Sequence, residues 1–74
     1  MTSPIVFAKT LVRGPQTRSF RVAAVPLTGW LVSEDDEQHP LMRKLYTDWH
    51  RVERALQRFV HQVAELRRDG WVEA

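Results

Sequence analysis

Between residues 47 and 70, Trp49, Val52, Leu56, Phe59, Val60, Val63 and Leu66 recur at steps of three and four. That spacing lines one side of a 3.6-residue helix and predicts an amphipathic helix over 48–69. Thr47 and Asp48 stand just before the period begins, where a side-chain oxygen can cap free N–H groups. Gly70 fits the first position past the last turn, with Trp71 able to fold back onto it. Arg51, Arg54 and Arg58 recur at the same steps on the opposite side.

The first half of the chain changes period. Residues 5–12 (IVFAKTLV) are β-branched and apolar and predict a first strand, with Ile5 and Phe7 on one face and Val6, Ala8 and Val12 on the other. Gly14 and Pro15 supply a turn. In 20–25, Phe20, Val22 and Ala24 alternate with Arg21, Ala23 and Val25, and Pro26 ends the strand. Residues 30–33 make a third strand, and the charged run 34–40 reads as an exposed hairpin loop. Residues 41–46 suit either a helix start or a fourth strand. The capping pair after them favours the strand, with Leu41, Arg43 and Leu45 alternating against Met42, Lys44 and Tyr46.

The expected fold is therefore α+β: a four-stranded antiparallel meander followed by one long helix, ββββα, in a single domain over 1–74. One helix covers one face of such a sheet, and this chain has more apolar surface than one face hides. An exposed patch of that kind usually marks an interface, which points to a homodimer or a protein partner. Val25, Leu31, Met42 and Tyr46 are the interface candidates.

Seventy-four residues lie near the lower limit for folding on one core, which favours completion by a second copy. The absence of cysteine removes disulfides, thiolate metal sites and cysteine nucleophiles, and points to the cytoplasm. No run approaches the roughly 18 apolar residues of a spanning helix, so no membrane is expected. Residues 1–7 lack the basic and apolar regions of a secretion leader.

Catalytic chemistry finds little support. His50 and His61 return to nearly the same side of the helix but lie about 16 Å apart along its axis, too far to share a metal ion. His39 stands in the acidic segment. Asp35, Asp36 and Glu37 match no calcium loop and read as a solvated tip. The three glycines are scattered, so no phosphate loop exists. The expectation is no enzyme, no metal, no cofactor and no small-molecule substrate.

Charge distribution says more than the total of eleven basic against nine acidic residues. Five acids, Glu34 to Glu37 and Glu73, fall in one segment or near the C-terminus, leaving the rest distinctly basic. Arg54 and Arg58 are like charges at i,i+4, which costs a helix about 0.2–0.5 kcal/mol. Arg51, Arg54 and Arg58, with Arg21, Arg43 and Lys44, form the candidate contact set for nucleic acid or an acidic partner. Lys9, Arg13, Arg21, Arg43 and Lys44 interleaved with Trp30 or Tyr46 on a sheet face would suit a single strand. The first expectation is a non-enzymatic domain acting through protein association. Nucleic-acid binding through basic sheet and helix residues is the alternative.

Overall fold

The computed structural model describes residues 4–37 and 39–74. Residues 1–3 of the segment read for a leader, and Gln38 of the charged run, lie outside them. The order is β1 (Ile5–Arg13), β2 (Gln16–Val25), β3 (Gly29–Asp36), β4 (His39–Tyr46), α1 (Trp49–Arg68) and β5 (Val72–Glu73). The strands form one antiparallel sheet in the order β4-β3-β2-β1-β5, with α1 packed on one face. This is the expected ββββα fold, with a short fifth strand added.

Turn chemistry sets the meander. Gly14 takes φ +59° at the first central position of a two-residue turn, with Pro15 after it. Such a turn lets Arg13 pair directly with Gln16, so β2 starts four residues before the sequence-based strand. Between β2 and β3, Thr28 N–H donates to the Val25 carbonyl at 3.1 Å around Pro26 and Leu27. Leu27 occupies the left-handed region at φ +63°, where glycine or asparagine is usual, and its side chain is fully exposed.

The acidic run is not the expected loop. Glu34, Asp35 and Asp36 belong to β3, and His39 and Pro40 open β4. Propensity argues against acids in strands, but here they sit opposite partners. Glu34 forms an ion pair with Arg18 on β2, and Asp36 stands directly across from Arg18. Pro40 is tolerated because β4 is an edge strand, and a bulge at Leu41 re-aims the register.

A second bulge, at Val6, corrects the face assignment of β1. It leaves Ile5 paired with Ala23 and Phe7 paired with Val22, so Ile5 and Phe7 point to opposite faces. Strand β2 alternates as read: Phe20 and Val22 are buried under the helix.

Asp48 caps α1, accepting the His50 N–H at 3.0 Å. At the other end Trp71 N–H donates to Leu66 O and Gly70 N–H to Arg67 O, the paired bonds of a glycine-terminated helix. That geometry, with Gly70 at φ +96°, turns Trp71 into the core and delivers β5 to β1. The core comprises Leu11, Phe20, Val22 and Val32 from the sheet, Val52, Ala55, Phe59 and Val63 from α1, and Trp71.

Of the apolar helix stripe, Leu56 and Leu66 pack half-buried against the core and two members are exposed. Val60 is 57% exposed and Trp49 41% exposed. The buried line runs through Val52, Ala55, Phe59 and Val63, so Val60 lies on the flank toward β1. Trp49 instead packs its ring on Trp30, centroids 5.3 Å apart. No helix among the described residues is long and apolar enough to cross a membrane.

Candidate association face and basic groove

Direct pairing across an antiparallel sheet puts partners on the same face, so the register sorts side chains into rows. On the face away from α1, Ile5, Ala23, Leu31 and Leu45 stand opposite one another and make one apolar row across all four long strands. Three strand spacings make that row about 14 Å wide. Ile5 and Leu45 are each 49% exposed. Val25 continues the apolar surface at the same end, and Leu27 projects beyond it.

The next row along the strands is Ala8, Arg21, Ser33 and Arg43. Ser33 is almost fully buried, flanked on both neighbouring strands by an arginine. Beyond it Thr10, Ser19 and Asp35 form a polar row, with the Thr10 and Ser19 hydroxyls 3.2 Å apart. The carboxylate of Asp35 lies 3.9 Å from Arg43. Val12 and Val72, paired with each other, close the far end.

Of the four interface candidates, Val25 and Leu31 lie on this uncovered face. Met42 and Tyr46 lie on the other, paired with Glu34 and Trp30 and packed against the core. Ile5 and Leu45 take their place, two residues that sequence reasoning missed as interface members. For Ile5 the missing signal was the Val6 bulge. For Leu45 the alternation was legible, but not which side of β4 the helix would cover.

The basic candidates also divide. Arg21 and Arg43 are on the uncovered face. Lys44, Arg51, Arg54 and Arg58 come together on the helix side, around a groove of about 900 Å³ between α1 and β4. Lys44 and Tyr46 rise from β4, and Gln57, His61 and Gln62 complete the lining from α1. Sequence reasoning had not attached these last three to the arginines, although they share their helical spacing. The grouping of Lys9, Arg13, Arg21, Arg43 and Lys44 with the rings of Trp30 and Tyr46 does not form. Strand pairing puts Lys9, Arg13, Lys44 and both rings on the helix side of the sheet, away from Arg21 and Arg43.

No carboxylate lines the groove. Among the described residues the ion pairs are Lys9–Glu73, Arg18–Glu34, Arg43–Asp35, His61–Glu65 and Arg67–Glu73, and none includes Lys44, Arg51, Arg54 or Arg58. The opposite flank of α1, toward β1, carries a smaller cleft in which Phe7, Val60, Val63 and Ala64 are joined by Lys9 and Arg67, both of which pair with Glu73. Also among the described residues, no three His, Cys, Asp or Glu side chains gather in a way that could hold a metal ion.

The chain matches no protein-family model, no curated protein and no solved structure.

Proposed function

We propose that this chain is a non-enzymatic association module whose uncovered sheet face docks on protein, in the first place on a second copy of itself. The observation that carries this reading is the apolar row Ile5, Ala23, Leu31 and Leu45 on the face that α1 leaves bare.

Magnitudes define how large the interface must be. Full burial of an Ile or Leu side chain is worth about 1.5–3 kcal/mol, and less where the side chain is already part-buried. Association costs about 4 kcal/mol or more in lost freedom. The two rows of a pair clear only the lower end of that cost, so the contact also takes Val12, Val25 and Val72.

A face-to-face stack meets this need. Two sheets packed about 10 Å apart, with their strands running opposite ways, set the apolar row of one copy over the Val12 and Val72 end of the other. The same operation sets the Arg21 and Arg43 row over the row of Thr10, Ser19 and Asp35. Ile5 of one copy then comes over Val12 of the other, and the Arg21 and Arg43 row comes beside Asp35, across a surface that meets itself about a two-fold axis.

Sedimentation velocity at tens of micromolar tests the reading. A dimer that persists at high salt and dissociates in Leu31→Asp is expected. A monomeric wild type, or a Leu31→Asp variant that stays dimeric, contradicts it.

A further inference from the structure

We infer that the groove between α1 and β4 is a second binding site, on the other side of the sheet from the association face, for the phosphate backbone of a single nucleic-acid strand.

Four cations converge on it from two elements: Lys44 from β4 and Arg51, Arg54 and Arg58 from α1. Elsewhere in the fold, Lys9, Arg18, Arg43 and Arg67 each lie beside a carboxylate, whereas these four have none within ion-pair distance among the described residues. Among the described residues Arg13, Arg21 and Arg68 also lie in no ion pair, so what distinguishes the groove is that four such cations line it together. Like charges at Arg54 and Arg58 oppose helix formation, so folding alone does not account for the grouping. A polyanion relieves that repulsion.

The arrangement suits phosphate better than an isolated carboxylate. Arginine presents a planar fork that grips two phosphate oxygens at once, and three of the four cations are arginines. From Arg51 to Arg58 the helix advances about 10 Å, enough to follow consecutive phosphates along one strand. One line of helix cations faces one floor strand, so the groove accepts one backbone. The Tyr46 ring on the floor gives a base a face to stack on. A duplex, with two backbones and its bases already stacked, uses neither the floor nor the ring.

Fluorescence anisotropy with the full chain tests this, using a labelled mixed-sequence single-stranded oligonucleotide, a duplex of equal length and a salt series. Expected is binding at low salt with a log–log salt slope near −0.7 per phosphate engaged, about −3 for four contacts. Replacing Arg54 and Arg58 together by Ala should weaken binding about tenfold or more and flatten the slope by one to two units. These side chains are exposed, and circular dichroism should show the variant folded. Arg21→Ala, on the other face, should leave the slope unchanged. Tyr46→Leu should weaken the single strand, and Tyr46→Phe should restore it.

No single-strand binding at low salt overturns the proposal, as does a salt slope indifferent to the Arg54 and Arg58 changes. Duplex binding as tight as single-strand binding also overturns it, and so does polyglutamate binding where the oligonucleotide fails, which would transfer the groove to an acidic protein partner. None of these outcomes bears on self-association, which is read separately by sedimentation.

Discussion

A Cβ placed on Gly29 would sit 2.2 Å from the carbonyl oxygen of Tyr46. The start of β3 and the end of β4 therefore approach as closely as they do only because residue 29 lacks a side chain. This contact fixes Trp30 opposite Tyr46 and Leu31 opposite Leu45, and so aligns both the groove floor and the apolar row.

Gly29→Ala is accordingly expected to destabilise the fold by about 2 kcal/mol or more. Backbone must shift to admit the methyl group, and φ +153° is unfavourable for any L side chain. Urea denaturation followed by tryptophan fluorescence measures this. Ala at Gly14, where a Cβ meets nothing within 4 Å, should cost less, since only its φ of +59° resists the change.

Phe59 and Val60 are adjacent in sequence and opposite in consequence. The Phe59 ring packs on Phe20 and Phe7, with centroids 5.1 and 6.3 Å away, and is 1% exposed. Phe59→Ala is expected to cost about 3–5 kcal/mol, enough to unfold much of a domain this small. Val60→Ala, at a position 57% exposed, should stay within about 1 kcal/mol. Equal losses at the two sites would mean that the helix is rotated about its axis from the position described.

The C-terminal strand carries a pH dependence. A hydrogen bond from Lys9 and its charge, with Arg67 adding a smaller attraction, hold the Glu73 carboxyl below its usual pKa against a weak opposing desolvation. A depressed folded-state pKa contributes stability that is present above the ordinary carboxylate pKa and is lost as pH falls through the depressed value. Acidification should therefore loosen β5 before the core. Amide exchange reports it: the Ala74 N–H, bonded to Thr10 O at 2.9 Å, should lose protection below the carboxylate range while Val22 stays protected. Glu73→Gln should remove that acid-dependent step.

Much of the fold was legible because its signals are local. Asp48 caps the helix, Gly70 closes it, and the apolar period of α1 marks its buried side. The alternation of Phe20, Val22 and Ala24 with Arg21, Ala23 and Val25 likewise separated the two faces of β2, but did not show which of them the helix covers. What escaped the sequence depends on pairing between strands. The acids of β3 look like loop residues until Arg18 is placed across from them. Nothing before the fold shows that Val6 bulges and sends Ile5 to the other face. The site followed the same division. The helix arginines could be grouped from spacing alone, while Lys44 joins them and Arg43 leaves them only because Val32 and Ser33, their partners on β3, face opposite ways.

Methyl NMR through a dilution series tests association by the uncovered face most directly, because it reports both whether copies meet and where. The methyl signals of Ile5, Ala23, Leu31 and Leu45 should shift together with one midpoint, while those of Val60 and Ala64 on the helix flank stay fixed. Signals constant at every concentration, or shifts confined to the Val60 flank, would contradict it.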